Sequence, residues 1–156
     1  MQRDLIQREL VQLDLDVEDQ GAFFERACAQ LEELGYVKPS YLEALRVREG
    51  KFPTALPTQP EAIAIPHADP EHVIKPFIAA TRLAKPVTWH EMGKSESELP
   101  VRFVFTLGFT RTEGHVKLLQ VLLNNVQDAT FMDSLAGATT ADEYYTTVHG
   151  MRGLED

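Results

Sequence analysis

The tightest constraint in this chain is the run Ala62-Ile63-Ala64-Ile65-Pro66-His67-Ala68-Asp69. Its small and β-branched residues read as a short buried strand, and Pro66, which has no N–H to give to a ladder, stops that strand at once. His67 is therefore delivered at the rim of a sheet, with only Ala68 crowding it. A histidine so placed keeps one ring nitrogen towards solvent while a local acceptor fixes the other, which is what a nucleophilic imidazole needs. Standing alone, such a histidine reads more readily as a loop residue without chemistry. What the chain places around it has to decide.

The length of 156 residues suits one domain, 1–156, with a real core. Acids outnumber bases 24 to 15, giving a formal charge of −9. That balance argues against a nucleic-acid partner, because phosphate binding asks for a basic face. A protein partner with a basic or apolar patch fits better. The single cysteine, Cys28, forbids an internal disulfide and points to a reducing compartment. The start, Met1-Gln2-Arg3-Asp4-Leu5, carries an early acid and no signal-like apolar segment. No stretch approaches the roughly 18 apolar residues of a membrane span. A cytoplasmic protein with no direct membrane insertion is expected.

Along the chain, Leu13-Asp14-Leu15-Asp16-Val17 alternates like a half-exposed strand near a sheet edge. Residues 22–34 repeat apolar side chains at helical spacing, with Cys28 on the inner stripe as a core cysteine and Gly35 as the stop. Ser40 and Glu43 have the spacing of a capping box for a helix that Gly50 ends. Arg48 then sits near a helix C-terminus, where a cation complements the dipole or joins a surface ion pair. Residues 52–60 hold three prolines and form an ordered loop whose hydroxyls, Thr54 and Thr58, are candidates to face an anion.

Residues 77–83 read as a strand that Val87-Thr88-Trp89 extends, 93–100 as a polar flexible connection, and 101–107 as the most strand-like segment, which Gly108 ends. Thr112-Glu113-Gly114-His115 opens an amphipathic helix. His115 in its first turn lies at the positive end of the dipole, beside free N–H groups that suit a phosphate, or else serves only as a helix-start residue. Helices at 129–135 and 141–148, the second with Thr140 and Glu143 as a capping box, close the chain. His67, Asp69 and His72 match none of the usual zinc spacings, and glycine-rich nucleotide loops and a Gly-x-Ser-x-Gly elbow are absent. Neither metal nor cofactor is expected. His90 and His149 read as surface residues.

The run from Ala62 to His67, preceded by Arg48-Glu49 and Phe52-Pro53-Thr54 and followed by strands and a His-led leucine-rich helix, resembles the EIIA domains of the bacterial phosphoenolpyruvate-dependent sugar phosphotransferase system (PTS). Within them it is most similar to the fructose–mannitol superfamily (type 2) and its galactitol type. The resemblance implies that His67 carries the phosphoryl group, that Arg48, nineteen positions earlier, and His115 assist it, and that the fold is an α/β (α+β) three-layer α/β/α sandwich with a mixed sheet of four or five strands. Ala55 and Ala62 stand where many members have glycine. It further implies phosphoryl transfer from the phosphocarrier protein HPr to His67 and on to a cysteine of a cognate EIIB, with a membrane EIIC taking up the sugar or polyol. With the chain ending at Asp156, a free-standing subunit is expected. A regulatory EIIA-like switch not dedicated to transport is the alternative.

Overall fold

The computed structural model describes residues 2–111 and 115–155. Thr112, Glu113 and Gly114, expected to lead into a helix, lie outside the described residues. The sheet is built on a long antiparallel hairpin of β4 (Phe77–Glu91) and β5 (Lys94–Gly108), paired from Phe77↔Gly108 to Glu91↔Lys94. Residues 94–100, expected as a flexible connection, are thus the return arm of that hairpin. Their polarity is compatible with a strand because most of this arm is exposed.

On one side of the hairpin, β1 (Val11–Leu15) runs parallel to β4 as an edge strand. It begins two residues before the expected alternation. Asp14 takes a left-handed φ of 55°, which interrupts the register between Leu13 and Leu15. On the other side β3 (Ala62–Ala64) runs parallel to β5, and β2 (Ala55–Leu56) pairs antiparallel to β3 and meets the far end of β4 at Glu91.

Two hydrophobic clusters flank this mixed five-stranded sheet. Phe23, Phe24 and Leu31 of α1 (Gln20–Glu33) and Leu45 of α2 (Tyr41–Lys51) pack with Phe77 and Trp89 on one face. Leu122 of α3 (His115–Val126), Leu135 of α4 (Ala129–Gly137) and Tyr144 of α5 (Ala141–His149) pack with Phe103 and Phe105 on the other. The result is the expected three-layer α/β/α sandwich. Alternation along β3 divides its side chains between the layers: Ala62 and Ala64 face α1 and α2, Ile63 faces α3 to α5, and Ile65 just beyond the strand joins that second cluster.

Local chemistry explains several of the helix ends. Asp19 accepts the Ala22 N–H, Gly35 turns left-handed at φ 84° after α1, and Thr140 accepts the Glu143 N–H. Ser40 departs from expectation. It is already helical, at φ −73° and ψ −11°, and makes no side-chain cap. Its hydroxyl lies 2.8 Å from His72 Nδ1, and α2 continues through Gly50 to Lys51. On the other face, buried Arg82 of β4 donates to both carboxylate oxygens of Asp14 and to the carbonyls of Leu135, Ala136 and Ala138, so it closes the C-terminal end of α4 against the sheet.

Candidate active site

The chain beyond Pro66 keeps close to β5. The Leu107 N–H donates to the Pro66 carbonyl at 3.0 Å, and His67 forms a parallel bridge with Leu107. His67 is thereby held at the carboxyl end of the β3–β5 pair, half-buried between the two helical layers. Its Nδ1 lies 2.8 Å from the carbonyl oxygen of Ile65. A carbonyl only accepts, so Nδ1 bears the proton and Nε2 holds the free lone pair.

Burial first, and then the positive charge of Arg48 and His115, lower the proton affinity of His67 below its ordinary value. The bond to Ile65 and the charge of Asp69 oppose that shift. The balance favours neutral, nucleophilic imidazole.

Arg48 reaches this centre from the last turns of α2. Its guanidinium lies 5.6 Å from the Phe52 ring centroid and its Nη1 3.8 Å from Asp69 Oδ1. Arg48 Nε is buried and has no hydrogen-bond partner among the described residues. His115 arrives from the opposite layer at the start of α3, and its Nδ1 is likewise buried without a partner among the described residues. Phe109, just past β5, joins the two histidines: its ring centroid is 6.4 Å from that of His67, edge-on, and 5.1 Å from that of His115. A cleft of about 490 Å³ opens beside Arg48, with Val47, Phe52, Asp69 and His72 in its walls.

The two threonines do not take up the expected place. Thr54 is buried, and both its N–H and its hydroxyl donate to the Glu49 carboxylate, at 2.8 Å each. Thr58 donates to the Glu61 carbonyl. A buried acid takes the hydroxyl proton of Thr54 and a main-chain carbonyl that of Thr58, so neither is directed to an anion at His67. Glu49 also accepts the Trp89 indole N–H at 2.9 Å. Burial raises the proton affinity of Glu49 and its three donors oppose the rise. Among the described residues no group of three or more His, Cys, Asp or Glu side chains is placed to hold a metal ion.

Three residues of this region escaped the sequence reading in their present roles. Phe109 carried no signal beyond its position after a strand-ending glycine. In the sequence Asp69 reads only as a candidate metal ligand. Glu49, at a helix end, gave no sign of being buried.

The chain is thus an α/β sandwich that presents His67 between two helical layers, with Arg48 acting on it from one side and His115 from the other. The family described as "Phosphoenolpyruvate-dependent sugar phosphotransferase system, EIIA 2" matches residues 4–150, and the chain belongs to it. Among curated relatives, the chain is 28% identical over 114 residues to the galactitol-specific EIIA component of Escherichia coli, covering 72% of this chain and 75% of that protein. It is 29% identical over 126 residues to the mannitol-specific EIICBA component of the same organism, covering 79% of this chain. The chain spans only 18% of that relative and 14% of the fructose-specific EIIABC component of Mycoplasma pneumoniae.

Among solved structures, the crystal structure of IIA mannitol from Escherichia coli superposes with a TM-score of 0.72 at 26% identity, covering 91% of this chain and 97% of the other. The Escherichia coli complex of enzyme IIAMTL and phosphorylated enzyme IIBMTL matches with a TM-score of 0.73 at 26% identity, covering 91% and 95%. No helix among the described residues is long and apolar enough to cross a membrane.

Proposed function

We propose that this chain is a single EIIA domain, 1–156, that carries a phosphoryl group on Nε2 of His67 for a PTS uptake system of the galactitol type. It would take the group from phospho-HPr and pass it to a cysteine of a cognate EIIB, with a membrane EIIC as the transporter. The observation that carries this reading is the trio at the sheet end. His67 has its proton held at Nδ1 by Ile65, and beside it lie two buried nitrogens, Arg48 Nε and His115 Nδ1, without partners among the described residues. Buried polar atoms left unpaired are costly, and an anion bound at Nε2 offers them acceptor oxygens. The galactitol type is supported by the relative of comparable length, and the EIIB partner by the complex whose IIA component superposes on this chain.

The chemistry follows from the tautomer. The Nε2 lone pair attacks phosphorus, the P–N bond to the donor histidine breaks, and its electron pair returns to the donor ring. No proton leaves His67. The phosphorylated ring, still protonated at Nδ1, carries positive charge that the Ile65 carbonyl stabilises. It departs as neutral imidazole when a thiolate takes the phosphoryl group. Charge on the group in flight needs positioning and electrostatic support rather than covalent help. Arg48 supplies a planar donor fork and His115 a ring nitrogen.

The test is labelling with phosphoenolpyruvate and the two general proteins of the system. The parent takes up acid-labile phosphate, and His67→Ala takes up none while keeping its circular dichroism and melting transition. Undiminished label on a folded His67→Ala variant refutes the assignment.

A further inference from the structure

We infer that Asp69 is a positioning residue: it holds Arg48 in waiting and competes with the phosphoryl group for that guanidinium, so it sets how readily His67 gives the group up. This rests on the carrier reading above. Asp69 opens the short 3-10 turn Pro70–His72 and stands where a side chain would ordinarily cap it, yet its carboxylate makes no cap hydrogen bond. It turns instead towards Arg48, with Oδ1 3.8 Å from Nη1, and its side chain remains 68% exposed.

That contact is long for an ion pair, and Arg48 Nε beside it is buried without a partner among the described residues. The guanidinium is thus held loosely by one anion while keeping a donor free for another. Asp69 lies two positions from His67, and its negative charge is felt at the imidazole. A carboxylate close enough to act on the empty ring repels a phosphoryl dianion placed on the same ring. Asp69 therefore favours the empty carrier twice over, by pairing with Arg48 and by repelling the phosphoryl group. Both effects raise the transfer potential of phospho-His67. The covalent step is unchanged: one P–N bond breaks in the donor and one forms at Nε2, while Arg48 exchanges one anion for the other.

The experiment measures the equilibrium of phosphoryl exchange between phospho-HPr and the full chain, using parent, Asp69→Asn and Asp69→Glu. Removing a partly exposed charge should shift the equilibrium constant towards phospho-His67 by roughly 3- to 5-fold in Asp69→Asn. Discharge to EIIB should slow by a similar factor. Asp69→Glu, which keeps the charge, should stay within about twofold of the parent, and all three should melt alike. A labelled parent with an unmoved Asn variant, or a shift towards HPr, overturns this inference alone. A parent that takes no label overturns the carrier reading and this inference with it.

Discussion

The indole N–H of Trp89 donates to the carboxylate of Glu49 across 2.9 Å, linking the middle sheet to the end of α2 one residue beyond Arg48. The same carboxylate takes the N–H and hydroxyl of Thr54, so one acid anchors both the helix that carries Arg48 and the loop that follows it. Glu49→Ala strands three buried donors and should cost about 3 kcal/mol or more in urea unfolding. Glu49→Gln keeps an oxygen for Trp89 and the Thr54 N–H, and its amide can donate to the Thr54 hydroxyl. Because burial raises the proton affinity of Glu49, ionising it on going from acid to neutral pH costs folded-state stability. The Gln variant should therefore lie within about 1 kcal/mol of the parent near neutral pH.

Gly108 owes its identity to Phe77. A Cβ at position 108 would sit 2.1 Å from Phe77 Cε1, and the Phe77 ring is fully buried. Gly108→Ala should lose about 2–3 kcal/mol by overpacking. Combining it with Phe77→Leu should recover part of that loss relative to the sum of the single variants. Additive losses in thermal unfolding would show that the two positions are independent.

Arg48 and His115 should separate by chemistry rather than by charge alone. Arg48→Lys replaces a planar fork with a point charge and should slow single-turnover transfer roughly 10- to 100-fold without loss of fold. His115→Gln keeps a donor and should retain most of the rate, whereas His115→Ala should lose roughly 10-fold. Equal rates for parent, Gln and Ala would reduce His115 to a helix-start residue.

The lowered proton affinity of His67, caused first by burial and then by Arg48 and His115, has a definite pH signature. The unfolded chain protonates this residue near 6.5, while the folded chain resists until a lower pH. The residue's contribution to stability is therefore complete above 6.5 and is lost as pH falls through the folded value. Between about pH 7.5 and pH 5 the parent should lose more stability than His67→Gln, which cannot titrate. Phosphoryl acceptance should also persist below the ordinary histidine range. A ring C–H titration by NMR with its midpoint at or above 6.5 would contradict both expectations.

The local parts of the site were legible because local rules govern them. Ile65-Pro66-His67 declares a strand end within three residues, and the periodicities of α1 and α3 mark their buried faces. The approach of Arg48 and His115 to His67 from opposite layers is not contained in any spacing, and only family resemblance suggested it. Residues 94–100 hid their strand because the exposed arm of a hairpin needs no apolar alternation. Ser40 has the sequence of a cap, but its hydroxyl pairs with His72, 32 positions away. Glu49 gives no signal in the sequence, and Thr54 reads as an anion-facing hydroxyl, for one reason: the burial of an acid together with its donors exists only once the fold closes over them.

The proton that selects Nε2 of His67 is held by the main-chain oxygen of Ile65, two residues back, and not by any side chain. On the carrier reading proposed above, which nitrogen takes the phosphoryl group is therefore a property of the chain's path out of β3. Surrounding side chains can drift and retune rate, partner or equilibrium without moving the reactive lone pair to the other nitrogen. For anyone grafting such a carrier onto another sheet, the transferable unit is the strand end with its proline and histidine, and the tautomer travels with the backbone.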